Sequence, residues 1–140
     1  IISKQLIDQD DSIIEAAELI LKSDPPIFIG RGGLSSYIAK EGALKMMEIS
    51  YIPCISLPGG ELKHGPIALI SEGSPVVAIV PTDSKLNLME SSIRECKSRG
   101  AKIILITQSY VIPRYQLHKH NHPVFVEAVG RIEEVLQHIM

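Results

Sequence analysis

A chain of 140 residues, 45% of them hydrophobic, is enough for one compact domain with its own core. A net charge of −2 gives no general attraction to nucleic acid or to an anionic membrane surface, and no apolar run is long enough to span a bilayer. Two cysteines, Cys54 and Cys96, make neither a CxxC pair nor a secreted disulfide framework, which points to a reducing cytoplasm.

Helical and strand patterns alternate along the chain. Asp11 or Ser12 can cap a first helix carrying Ile13, Ile14, Ala17 and Leu21, which ends near Ser23 ahead of Pro25-Pro26. Residues 27–29 form a short apolar strand that exits through Gly30-Arg31-Gly32-Gly33, and a second helix runs from about residue 35 to residue 51. Residues 54–57 make the next strand, followed by a Pro-Gly-Gly turn, and Pro66 is well placed to open a short helix through residue 70. Residues 76–80 are apolar throughout, as expected of a strand buried on both faces. Asp83 or Ser84 starts a helix bearing Leu86, Met89, Ile93 and Cys96, stopped by Gly100. Residues 102–106 and 123–126 are the fourth and fifth strands, and Gly130 precedes a last helix with Ile132, Val135, Leu136 and Ile139. This alternation predicts an α/β fold: a three-layer αβα sandwich, flavodoxin/Rossmann-like, around a five-stranded parallel sheet with right-handed crossovers. The chain opens on Ile1-Ile2 and stops at Met140 inside a helical pattern, so residues 1–140 read as a single domain cut from a longer polypeptide.

In such a sheet ligands sit beyond the carboxyl ends of the strands, and three candidate features are expected there. Gly30-Arg31-Gly32-Gly33, with Ser35 and Ser36 behind it, either offers backbone amides to a phosphate or simply makes a tight strand-to-helix turn. Glu41, Lys45 and Glu48 stand at i, i+4 and i+7 and share one helix face. They are either a solvated stripe or a proton-transfer set, in which an ammonium favours the ionised, base-competent carboxylate. Ile38, Ala39, Ala43, Leu44, Met46, Met47 and Ile49 occupy most other positions. The helix is therefore expected to be covered around much of its circumference, with the polar line facing a cleft or a subunit boundary. His64 lies two residues before Pro66, where the positive end of a following helix favours a neutral imidazole able to accept and return a proton. The alternative is a loop histidine bonded to nearby backbone, with Lys63 a surface cation. His118, His120 and His122 form the one metal-like cluster, but no carboxylate or cysteine nearby completes a ligand set, so a solvated loop is expected and no metal.

The stretches EGALKMMEISYI (41–52) and GGELKHGPIALI (59–70) resemble the second sugar-isomerase (SIS) domain of the glucosamine-6-phosphate synthase family, the isomerizing glutamine–fructose-6-phosphate aminotransferases. The similarity runs over nearly the whole chain. It implies that Glu48 moves the proton between C2 and C1 of the sugar and that Lys45 helps hold the open-chain form. It assigns ring opening to His64, contributed by the neighbouring subunit of a homodimer. Gly32, Ser35, Ser36 and Glu61 complete the expected substrate-binding set, although in that family serine and threonine loops of the first SIS domain hold most of the phosphate. Fructose 6-phosphate and glucosamine 6-phosphate are the implied ligands, with a glutaminase domain and a first SIS domain elsewhere in the full-length chain. No cofactor, nucleic acid or membrane partner is implied. Residues 53–59 depart from the family pattern, which usually has a glutamate near position 55. The family's C-terminal lysine tail is also missing, so the 140 residues alone are expected to be inactive. A non-catalytic sugar-phosphate sensor and a stand-alone phosphosugar isomerase are the alternatives on the same fold.

Overall fold

Three runs with little polar interruption build the centre of the molecule, because a strand covered on both faces has no solvent side to alternate with. A computed structural model describes residues 10–80, 86–107 and 124–127. Its elements are α1 (Asp10–Leu21), β1 (Ile27–Gly30), α2 (Gly33–Ser50), β2 (Ile55–Pro58), two 3-10 segments (Gly59–His64 and Pro66–Leu69), β3 (Pro75–Ile79), α3 (Leu86–Ser98), β4 (Lys102–Thr107) and β5 (Val124–Glu127). The five strands form one sheet in the order β2-β1-β3-β4-β5. Every neighbouring pair is parallel, with Ile27 of β1 level with Ile55 on one side and Val76 on the other.

Side-chain alternation along the strands divides the core in two. Phe28, Val77, Ile79 and Ile104 face α1 and α2, where Ala16, Ile20, Ala39 and Ala43 meet them. Ile27, Ile29, Val76, Ala78, Ile103 and Leu105 face the other way, onto Met89, Ile93 and Cys96 of α3 and onto Leu62 and Ile70. Helices thus cover both faces, giving the three layers expected. Small residues bring α2 close to the sheet, and Gly42 looks onto the Phe28 ring, whose carbons would lie 3.3 Å from an added Cβ. The helix ends at Tyr51, which adopts a left-handed φ of 60° and returns its N–H to the Met47 carbonyl at 3.0 Å.

Element ends fall within a few residues of the sequence expectation, and one segment differs in kind. In place of a simple Pro-Gly-Gly turn after β2, residues 59–64 form a 3-10 helix, with Leu62 drawn wholly into the core while Glu61 and Lys63 stay outside. The segment opened by Pro66 is also 3-10 and stops at Leu69. The proposed caps Asp83 and Ser84, the histidines 118, 120 and 122, and the last helix after Gly130 lie outside the described residues. No described helix is long and apolar enough to cross a membrane.

The β1–α2 turn depends on Gly30, where any Cβ would run into the backbone carbonyl of Ser35. Replacing Gly30 with Ala should cost at least about 1–3 kcal/mol, since backbone cannot yield as a flexible side chain does. Urea denaturation measures this directly, and a variant as stable as the parent would show that the turn has room to spare.

Candidate functional site

The 3.6-residue period of α2 turns Ser35, Ala39 and Ala43 toward the sheet and Glu41, Lys45 and Glu48 away from it. Lys45 Nζ lies 2.8 Å from Glu48 Oε2 and 3.7 Å from Glu41 Oε1. The hydrogen bond to Glu48, followed by that carboxylate's charge, raises the Lys45 pKa above the ordinary lysine value. About half of each side chain is open, 54% for Lys45 and 51% for Glu48.

The surroundings correct one expectation. Leu44, Met47 and Ile49 are exposed, as are Tyr37 and Tyr51, so α2 is covered on its sheet side and open on the other. A single sheet can bury only one side of a helix, and the apolar positions on α2 exceed what this one covers. The carboxylate–ammonium line therefore runs through an open surface rimmed by large apolar side chains. The line is thus on an exposed face and not in a cleft among the described residues.

A second group gathers at the carboxyl end of the sheet. The turn after β1 is tied by its serines: Ser35 Oγ accepts the Arg31 N–H at 2.9 Å and donates to the Gly32 carbonyl at 3.2 Å, while Ser36 Oγ donates to the Gly30 carbonyl at 3.0 Å. Both hydroxyls are engaged inside the turn, which favours the tight-turn reading of these glycines. Gly32 stands at the helix N-cap with φ 67°. The Arg31 guanidinium lies against Gly60, 3.3 Å from where a Cβ would stand, and reaches Ser92 Oγ at 3.5 Å. Glu61 and His64 are exposed on the segment after β2. His64 ends one short 3-10 turn, and the short helix expected to follow from Pro66 is itself a 3-10 segment that stops at Leu69. Lys63 is more than a surface cation, since its Nζ lies 2.6 Å from Glu95 Oε1 of α3.

These two groups do not meet. α2 starts where β1 ends and returns antiparallel to the strands, so Glu48, fifteen residues beyond Gly33, is roughly 22 Å back along the axis. It stands near the start of β2, whereas His64 lies past the end of that strand. The expectation that Glu41, Lys45 and Glu48 join the strand carboxyl ends is thus corrected by the direction of the helix. Glu41, Lys45 and Glu48 form one group, while Gly32, Ser35, Ser36, Glu61 and His64 lie at the carboxyl end of the strands. Sequence reasoning passed over Arg31, Ser92 and Glu95. Arg31 was visible within its glycine-rich run, but nothing in the pattern of α3 distinguishes Ser92 or Glu95 from ordinary helix positions.

Neither cysteine is a nucleophile in waiting. Burial pushes the Cys96 thiol up to about 12 and also raises that of Cys54. Among the described residues, no group of three or more His, Cys, Asp or Glu is placed to hold a metal ion.

The SIS domain family matches residues 19–128. The isomerizing glutamine–fructose-6-phosphate aminotransferase of Francisella tularensis is 45% identical over 105 residues, covering 75% of this chain and 17% of that protein. The enzyme of the same name from Thermococcus kodakarensis is 44% identical over 108 residues, covering 77% of this chain and 18% of that protein. Among solved structures, the C-terminal domain of glucosamine-fructose-6-phosphate aminotransferase from Francisella tularensis matches with a TM-score of 0.78 and 38% identity, covering 91% of this chain and 35% of that one. The chain spans less than a fifth of the length of the curated relatives it matches.

The Lys45–Glu48 contact has a definite pH signature. A raised folded-state pKa means the stabilisation is fully present below the ordinary lysine value of 10.5 and is lost as pH rises through the higher folded value. Nitrogen-detected NMR titration should place the Lys45 midpoint above 10.5, and Glu48→Gln should bring it back toward that value. An unchanged midpoint in the variant would show that the two groups do not pair in solution.

Proposed function

This chain belongs to the SIS domain family, and from that premise we propose that it is the second SIS domain of an isomerizing glutamine–fructose-6-phosphate aminotransferase. In this reading the 140 residues are one domain of a longer polypeptide whose other parts supply the glutaminase and a first SIS domain. Two unpaired cysteines suit the reducing cytoplasm in which the reading places it.

The chemistry assigned to this chain is proton transfer. Fructose 6-phosphate and ammonia condense to an imine at C2. Glu48 takes a proton from C1, the C–H pair forms a C1–C2 double bond and the imine π pair goes to nitrogen, which takes up a proton. Return of the Glu48 proton to C2, as the C1 hydroxyl gives up its proton and becomes the carbonyl, leaves an aldose amine, glucosamine 6-phosphate. Lys45, held at 2.8 Å from the carboxylate, keeps it oriented and adds positive charge beside the open-chain sugar. His64 opens the sugar ring by moving a proton between the ring oxygen and the anomeric hydroxyl. With both serine hydroxyls engaged in the β1–α2 turn, most of the phosphate binding falls to the rest of the full-length protein.

The observation that carries this reading is the separation of Glu48 from His64 at opposite ends of β2, with the open side of α2 rimmed by apolar side chains. A base and a ring-opening histidine that serve one sugar must then come from two chains. A twofold dimer supplies both sites at once, since each protomer gives its Glu48 to one and its His64 to the other.

In the full-length polypeptide, Glu48→Gln should lower turnover of fructose 6-phosphate by about 10²–10⁴-fold while sugar binding persists. Unchanged turnover would remove the base, and weaker binding with full turnover would favour a sensor. The shared site has its own test. Glu48→Gln and His64→Ala proteins, each strongly slowed alone, should regain activity when co-expressed, because one site of the mixed dimer holds both native residues. Mixed dimers with no activity would place both groups in one chain.

A further inference from the structure

The His64 ring is exposed, yet the turn beneath it is fastened at several points to a helix with no assigned part in the chemistry. Ser92 Oγ of α3 donates to the Gly59 carbonyl at 3.0 Å in a buried contact. Gly59 lies so close to α3 that an added Cβ would stand 3.1 Å from the Met89 sulfur. Leu62 is fully buried beside Met89, Ile93 and Cys96. Lys63, next to the histidine in sequence, reaches Glu95 one turn further along the same helix, at 2.6 Å. Arg31 closes the arrangement from the β1 side, lying on Gly60 and reaching Ser92. The turn is therefore held before, at and after Leu62, and among the described residues His64 has no side-chain partner of its own.

We propose that Glu95, acting through Lys63, and Ser92, acting through the Gly59 carbonyl, are positioning residues that set how α3 presents the His64 imidazole to the sugar. The inference rests on the proposed function, which gives His64 its task, and goes beyond it by assigning a role to residues that never touch substrate. A ring proton is transferred only between atoms at hydrogen-bond range, so a shift of about 1 Å in the turn is enough to slow ring opening by as much as 10²-fold. A surface ion pair normally matters little to folding. Its placement one residue from a histidine without other support gives it a different use.

The test uses the full-length polypeptide with Glu95→Gln, Ser92→Ala, His64→Ala and the two double variants. Glu95→Gln should keep the parent melting temperature and its affinity for the acyclic glucitol 6-phosphate, while kcat/KM for ring-closed fructose 6-phosphate falls about tenfold or more. Added to His64→Ala, neither Glu95→Gln nor Ser92→Ala should lower the rate further, because each acts only through the imidazole. A slow His64→Ala enzyme beside a Glu95→Gln enzyme at parent rate would overturn this inference alone. The same loss with and without His64 would also overturn it, by showing a general effect on structure. A His64→Ala enzyme at full rate would sink the histidine's assignment and this inference together.

Discussion

A right-handed crossover between parallel neighbours has to bring the chain back the way it came, and α2 does this in eighteen residues between β1 and β2. That return fixes where each chemical group can stand. Residues early in α2 lie with the β1 exit, and residues late in α2 lie with the start of β2. Glu48 is late and His64 follows β2, so no local rearrangement of side chains brings them together. The close approach of Gly30 to the Ser35 carbonyl locks the start of the helix, and the left-handed Tyr51 fixes its end. Between these two points the register of Glu41, Lys45 and Glu48 is no longer adjustable.

The packing is divided in the same way. Both core clusters lie between the sheet and the inward sides of the helices, and neither includes Glu41, Lys45, Glu48 or His64. The fold thus stands without the site. An exposed ion pair is a weak source of stability, so the Lys45–Glu48 contact is better understood as setting the direction of a carboxylate than as holding a helix. The apolar side chains beside it tell the same story. Ile49 and Tyr51 remain 79% and 89% exposed, on the side of the helix that the sheet does not reach.

How far the sequence could be read follows from the range of the physics involved. Ile27 to Ile29 and Val76 to Val80 are short apolar runs between turn residues, and such local patterns are enough to order the strands and helices. The shared face of Glu41, Lys45 and Glu48 follows from helical spacing alone, and the structure places the three together. The same spacing is silent about which sides of α2 are covered, because coverage depends on how many surfaces pack against it. Leu44, Met47 and Ile49 looked like core for that reason. The end of the strands at which Glu48 lies was also hidden, since helix direction emerges only once β1 and β2 are known to be parallel neighbours. Ser92 and Glu95 were the least legible. Their significance comes from Gly59 and Lys63, more than thirty residues earlier in the chain, and α3 carries no motif that would mark them.

A domain built this way supplies one rigid partner and one open one. The histidine turn is anchored through Leu62 to the same core that holds β1, β3 and β4, so its backbone moves only if the α3 layer moves. The carboxylate lies on the far side of α2 from the sheet, where water has free access until another surface covers it. Proton abstraction from carbon benefits from a dry surrounding, which strengthens the interaction between the base and the charge developing on the sugar. The chain alone lacks that surrounding at Glu48. In the proposed shared site, assembly does two things in one step: it brings in the second chemical group, and it removes water from the first.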